Sequence, residues 1–188
     1  MKVGFVGLGV MGRPMAGHLL AAGHELAVWA RRPESTAPLA EAGARVCATP
    51  AELAACCEVV ISVVTASADV EQLALAPEGL LAGFAPGGIH VDMSTIAPGT
   101  ARRVAVRYAE KGVGWLDAPV SGGEVGARDA TLAIMAGGDA DVLERVRPLL
   151  NSLGRTIVHI GPAGAGQVAK ACNQMIMVNA IQACAEAM

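Results

Sequence analysis

An α/β fold with a doubly wound, mostly parallel sheet is predicted for this 188-residue chain by three observations. Strand-like and helix-like stretches alternate from end to end, the pattern of successive strand–helix units. The first such unit breaks into a glycine turn where its helix would begin. Composition adds the third: 53% hydrophobic and 16% charged residues describe a chain that buries a core, and the length suffices for one sizeable domain.

Strands are expected near 2–6, 25–29, 44–46, 59–64, 88–92, 114–117, 131–135 and 156–160, with helices between them. The first helix is expected over 11–22, with Gly23 as its stop. Segments 33–41, 50–57, 98–111 and 139–153 each open near a Pro or Asp and carry an apolar stripe, as helices do. The stretch 166–188 reads as one long helix that is apolar almost all round, a surface normally covered by more protein, whether further chain or a partner. The expected division is an α/β domain over 1–162 and the start of a long helix over 163–188.

A net charge of -3 and the absence of a basic cluster with interleaved aromatics argue against nucleic acid as a partner. No apolar stretch reaches the length needed to cross a membrane. Lys2 before an apolar run resembles the start of an export signal, but the glycines that follow have a spacing no removable segment needs. The five cysteines, Cys47, Cys56, Cys57, Cys172 and Cys184, lack Cys-x-x-Cys spacing and lie on apolar segments. They are expected to be reduced and mostly buried, in a cytoplasmic protein. The histidines His18, His24, His90 and His159 form no metal-ligand pattern.

The glycine turn is Gly7-Leu8-Gly9-Val10-Met11-Gly12, a Gly-x-Gly-x-x-Gly between a strand and a helix. The first glycine allows a tight turn, the second lets backbone approach a pyrophosphate, and the third lets helix and strand pack closely. Unpaired amides at the helix start attract the phosphate charge. Roughly 20 residues on, where an acid would bind the 2′-hydroxyl of NAD, stand Ala30, Arg31 and Arg32. Guanidinium groups grip a 2′-phosphate through paired hydrogen bonds, which favours NADP while leaving NAD possible. The alternative is that both arginines are solvated surface charges.

Three further places carry polar groups that a core does not explain. Lys170 is one of only three lysines and lies in an apolar helical stretch, with Gln167, Asn173 and Gln174 on the same strip. It reads either as a lysine reaching to solvent or as a proton donor with Asn173 orienting it or the substrate. Ser121, Gly122 and Gly123 set a hydroxyl beside two unobstructed amides, a turn suited to a carboxylate, though Ser and Gly are also ordinary loop residues. Thr95 follows a strand and would either touch a cofactor or cap the next helix.

Five ordered segments resemble the β-hydroxyacid dehydrogenase family: GLGVMG at 7–12, DMSTIAP at 92–98, DAPVSGGEVGA at 117–127, TLAIMAGG at 131–138 and GAGQVAKACNQ at 164–174. The resemblance implies a Rossmann-type domain followed by the start of an interdomain helix. It implies oxidoreduction of a small 3-hydroxy acid and its semialdehyde, or of glyoxylate, with NADP. Lys170 would then be the catalytic acid/base and Asn173 would assist substrate placement. Ser121, Gly122 and Gly123 would hold the substrate carboxylate. Thr95 and the loop around Val64 and Thr65 would contact the cofactor. A homo-oligomer is implied for the full-length form. Family members often carry Asn-Arg-Thr where this chain has Ala30-Arg31-Arg32, Gly where it has Ala130, and a second Asn where it has Gln174. They normally continue for roughly another hundred residues of helices. Two alternatives stand beside this reading: a nucleotide-binding module without turnover, and an imine reductase, which characteristically carries a residue other than lysine at the catalytic helix position.

Overall fold

Nine strands join into a single sheet in the computed structural model, which describes residues 1–188. They are β1 (Lys2–Val6), β2 (Glu25–Trp29), β3 (Arg45–Val46), β4 (Val59–Ser62), β5 (Ile89–Asp92), β6 (Gly114–Asp117), β7 (Val120–Ser121), β8 (Leu132–Gly138) and β9 (Gly154–Gly161). The spatial order is β3-β2-β1-β4-β5-β6-β8-β7, with β9 on the other side of β8. Strands β1 to β6 pair in parallel; β8 runs antiparallel to β6 and β7 and parallel to β9.

The helices are α1 (Gly12–Ala21), α2 (Ala37–Glu41, after a 3-10 turn over Pro33–Thr36), α3 (Pro50–Cys56), α4 (Ser67–Leu75), α5 (Leu80–Gly83), α6 (Pro98–Glu110), α7 (Gly123–Arg128), α8 (Ala140–Leu150) and α9 (Ala165–Ala187). Parallel strands covered on both faces need apolar residues at successive positions, and β4 supplies Val59, Val60 and Ile61, all essentially without exposure. Alternation then divides the core. Phe5, Val28, Ile61 and Val91 pack with Met15 and Leu19 on one face, while Val6, Ala27 and Val60 pack with Leu53, Tyr108 and Trp115 on the other. Caps fix the helix starts: Thr49 Oγ1 accepts from Glu52 N at α3, and Asp139 accepts from Asp141 N and Val142 N at α8.

Several expectations are corrected. The strand expected to 64 ends at Ser62, the one expected over 131–135 runs to Gly138, and the helix expected to 153 ends at Leu150. The two-residue strand β7 lies inside what the sequence suggested was a loop, paired to Ala133 and Ile134 of β8. Only Cys47 is buried; Cys56 and Cys57 are half-buried and Cys172 and Cys184 are exposed, because both of the latter lie on the outer surface of α9. All five are free thiols. From Met175 on, α9 exposes its apolar side chains, with Ile176 72% and Ile181 61% accessible. No helix is long and apolar enough to cross a membrane, and no group of three or more His, Cys, Asp or Glu is placed to hold a metal ion.

Candidate active site

The C-terminal ends of β1, β2 and β4 frame a cleft of about 400 Å³. At its edge Gly7 has φ +92, and a methyl group there would overlap the Val63 carbonyl oxygen; one on Gly12 would overlap the Gly7 carbonyl oxygen. A Cβ on Gly9 would meet nothing within 4 Å. Two glycines thus close the turn against the sheet and the helix, and the third leaves backbone open to a ligand, which matches the roles read from the spacing. Helix α1 has no side-chain cap; in its first turn Arg13 N donates to Gly9 O at 3.0 Å and Pro14 has no N–H, so Gly12 N and the turn before it are what an anion would meet.

Gly7, Leu8, Gly9, Ala30, Arg31, Arg32, Val64 and Thr65 all line this cleft; Val10, Met11 and Gly12 do not. Val10 is exposed beside it and Gly12 is buried beneath it. Leu8 is 5% accessible and anchors the turn by its side chain. Both arginines are exposed. The Arg31 guanidinium lies 3.7 Å from the Asp69 carboxylate on α4, and Glu78 also lines the cleft. Trp29 donates from Nε1 to the Ala48 carbonyl at 3.2 Å, which holds one wall.

A buried polar chain leads from this cleft to the end of β5. Tyr108 Oη and His90 Nδ1 are 2.9 Å apart, His90 Nε2 lies 2.8 Å from Ser62 Oγ, and Ser62 Oγ donates to Asp92 Oδ1 at 2.8 Å. Ser94 Oγ donates to the same Asp92 oxygen at 2.6 Å and accepts from Val64 N at 2.9 Å. The β4 and β5 loops are therefore fastened together beside Thr65 and Thr95. Asp92 Oδ2 has no partner, and burial pushes its carboxyl up to about 6; burial lowers His90 to about 3, so its imidazole stays neutral. Thr95 is exposed and does not cap α6, whose N-cap is Ala97.

The start of α9 completes this edge. Gln167 is 1% accessible; its Oε1 accepts from Ile96 N at 3.0 Å and its Nε2 donates to Ser94 O at 2.8 Å, one on each side of Thr95. Asp117, at the end of β6, accepts from Gly164 N at 2.6 Å and Gln167 N at 3.0 Å. Lys170 follows three residues later, on the same helix strip. It is 8% accessible, and no hydrogen bond or ion pair within the chain engages its ammonium; burial lowers its pKa from the ordinary 10.5. Asn173 is half-buried one turn on.

Ser121 pairs with Ala133 of β8, and Asp117 pairs with Gly137. Ala133, Met135 and Gly137 alternate onto one face, and a Cβ on Gly166 of α9 would overlap the Met135 carbonyl. Ser121 thus stands on the α9 side, about 7 Å along β8 from that contact by strand rise. Gly122 and Gly123 have φ +130 and +60 and are exposed. Gly9, Val64 and Thr65 share the cleft at the C-terminal ends of the parallel strands, with Thr95 on the adjoining β5 loop; Thr95, Lys170, Asn173 and Ser121 do not line that cleft, and the first turn of the helix that bears Lys170 and Asn173 is tied beside Thr95 through Gln167. The fastenings Ser94, Asp117 and Gln167 were not singled out as such by sequence reading. Gln167 was visible only as part of a polar strip, and nothing local marks Asp117 as the cap of a helix 47 residues away.

Comparisons with known proteins bear on this arrangement. The chain is 46% identical to the NAD-dependent L-serine dehydrogenase of Pseudomonas aeruginosa over 100% of its own length and 63% of the relative's. It is 47% identical to the 3-hydroxyisobutyrate dehydrogenase of the same organism, covering 99% of this chain and 62% of that one. It thus spans a little over three fifths of these relatives, matching their N-terminal part. Among solved structures, Mycobacterium tuberculosis 3-hydroxyisobutyrate dehydrogenase with L-serine superposes with a TM-score of 0.88 at 39% identity, covering 94% of this chain and 60% of that one. An imine reductase from Myxococcus stipitatus in complex with NADP+ superposes at TM-score 0.88 over 97% of this chain and 63% of its own, with 22% identity, a likeness of fold alone. The family model described as the NAD binding domain of 6-phosphogluconate dehydrogenase matches residues 2–161, and the chain belongs to that family.

Proposed function

We propose that this chain is the cofactor-binding and acid/base-bearing part of an NADP-linked oxidoreductase that interconverts a small 3-hydroxy acid and its semialdehyde. One observation carries the reading. Lys170, a largely buried side chain whose ammonium has no protein partner and reaches the surface, sits on the helix turn that Gln167 ties to both sides of Thr95, on the sheet edge that also holds the open glycine turn. The relatives named for L-serine and 3-hydroxyisobutyrate share the chemical feature a 3-hydroxy acid requires, a carboxylate with an oxidisable hydroxyl.

The cradle left open at Gly9, at the start of α1 where no side chain caps the helix, fits a pyrophosphate. Val64 and Thr65 in the cleft, with Thr95 on the adjoining loop, would border the nicotinamide end, and Arg31 and Arg32 the adenosine end. Both NAD and NADP fit a cleft of this family. Two guanidiniums favour a 2′-phosphate, and Asp69 beside Arg31 tempers that preference. When bound, the nicotinamide supplies or accepts the hydride. Lys170 gives a proton to the carbonyl oxygen in reduction and takes it from the hydroxyl in oxidation. Ser121 and the amides of Gly122 and Gly123 hold the carboxylate, which fixes the distance between the reacting carbon and Lys170. Asn173 orients the lysine or the substrate. The apolar face of α9 from Met175 on suits a homo-oligomer or further helices of the same protein, with cytoplasmic residence the simplest setting for five free thiols.

The test is to follow nicotinamide absorbance with NADPH and a panel of semialdehydes, glyoxylate and cyclic imines, using this chain and a form extended to the length of its relatives. Turnover of semialdehydes that is lost with Lys170→Ala is expected. Turnover of imines alone, or NADPH binding without turnover in both forms, contradicts the reading.

A further inference from the structure

We propose that Asp117 is a positioning residue that sets where Lys170 sits, by binding the first turn of the helix that carries the ammonium; this rests on the acid/base role given to Lys170 above. The first amides of any helix lack partners within it. In α9 none is satisfied by a side chain of the local sequence: Gly164 occupies the N-cap position with φ +86 and offers no side chain. The partner comes instead from β6. One carboxylate oxygen of Asp117 accepts from Gly164 N and the other from Gln167 N, so a single group grips both ends of the first turn. A negative charge at that end of a helix is also favoured by the helix dipole.

The surroundings are shaped to the carboxylate. A Cβ on Gly137 would stand 2.8 and 2.9 Å from its two oxygens, and one on Gly166 would stand 3.0 Å from Oδ2. Two side chains are thus absent where the carboxylate sits. Asp117 is fully buried and forms no ion pair with a lysine or arginine. Burial pushes its carboxyl up to about 6, against the backbone amides of Gly164 and Gln167 that pull it down. A buried charge of this kind costs stability unless several donors meet it, and here the donors are the helix start itself. Gln167 adds the second tether, to Ser94 and Ile96. Lys170 then lies about 4.5 Å further along the axis, with its direction set by the turn that Asp117 holds.

The test uses Asp117→Asn, which keeps the shape and one acceptor but sets an NH2 against a helix amide. Only three lysines exist, Lys2, Lys111 and Lys170, so carbon-13 labelling of lysine gives three resolvable side-chain signals. The variant should move the Lys170 signal and leave the other two in place. Amide exchange at Gly164 and Gln167 should accelerate at least tenfold, and NADPH affinity should stay within twofold. With a semialdehyde that turns over, kcat should fall at least tenfold with KM changed less than threefold. An unmoved Lys170 signal with unchanged amide exchange overturns the proposal. So does a variant in which NADPH affinity and all three lysine signals change together, the mark of general damage. Should the variant not fold, exchange in the native chain decides: amides of Gly164 and Gln167 protected at least a hundredfold over exposed amides support the proposal, and unprotected ones overturn it. The lysine and exchange readouts need no substrate, so failure here is distinct from failure of Lys170 as the acid, which Lys170→Ala reports.

Discussion

The glycine turn and the start of the lysine-bearing helix lie at one sheet edge but are held there by different means. The turn is fixed by backbone against backbone: Gly7 lies on the Val63 carbonyl and Gly12 on the Gly7 carbonyl, with no polar side chain involved. The start of α9 also packs backbone on backbone, Gly166 on the Met135 carbonyl, but adds buried side chains reaching across the chain, Asp117 over 47 residues and Gln167 over 71 and 73. Local contacts of the first kind tolerate no added atoms. The second kind tolerates shape but not loss of a hydrogen-bonding group, since an unmet buried partner costs about 1–3 kcal/mol.

The contrast is broken most severely at its two reacting ends. Lys170→Ala should lower the rate of semialdehyde reduction by about 10²–10⁴ while NADPH affinity, measured by fluorescence, stays within twofold. Burial lowers the lysine's pKa, so reduction in the native protein should fall as pH rises through that lowered value and oxidation should rise over the same range. An unchanged pH–rate profile in Lys170→Ala would detach the lysine from catalysis. Next in size, Gly7→Ala should destabilise the fold by more than about 2 kcal/mol in urea unfolding, because φ +92 and the Val63 carbonyl both exclude a methyl group. Gly9→Ala should leave stability within about 0.5 kcal/mol yet weaken NADPH binding. Equal losses of stability at the two positions would refute their division of labour.

The adenosine end sharpens the comparison on a smaller scale. Arg31→Asp should weaken NADP relative to NAD about tenfold or more, the worth of one charge-assisted hydrogen bond, read by isothermal titration with both cofactors. An equal loss for both would assign Arg31 to the surface, where its neighbour Asp69 already engages it. The smallest effect concerns the buried link. Asp92 titrates near 6 in the fold against 3.8 ordinarily, so the folded state holds the proton more tightly and stability declines as pH rises from about 4 to 6. Asp92→Asn should remove that part of the decline, and its melting temperature relative to the native chain should climb by a few degrees between pH 4 and pH 7. Asp117 contributes a decline in the same direction, and His90, neutral down to about 3, contributes the opposite slope; both persist in the variant.

Legibility in the sequence followed the same division. Residues 7–12 announced their turn, because each glycine answers to a contact within a few residues or to an adjacent strand end. The alternation of strands and helices was readable, since apolar runs such as Val59 to Ile61 reflect burial on both faces. The reversal of β8 was not readable, because its pattern of apolar residues serves either direction equally. The helix α4 went unremarked between 67 and 75, where its apolar positions Val70, Leu73 and Ala74 are few. Lys170 stood out as a charge among apolar neighbours, whereas Asp117 looked like an ordinary strand end and Ser94 like an ordinary loop residue. Their partners lie tens of residues away, and only the folded chain pairs them.

The most direct test of the central claim, that the glycine turn and Lys170 serve one bound dinucleotide, is a crystal structure of the chain with NADPH. The account predicts the pyrophosphate over the amides at Gly9 and the nicotinamide between Thr95 and Lys170. A dinucleotide seated on the glycine turn with its nicotinamide directed away from Lys170 would contradict it.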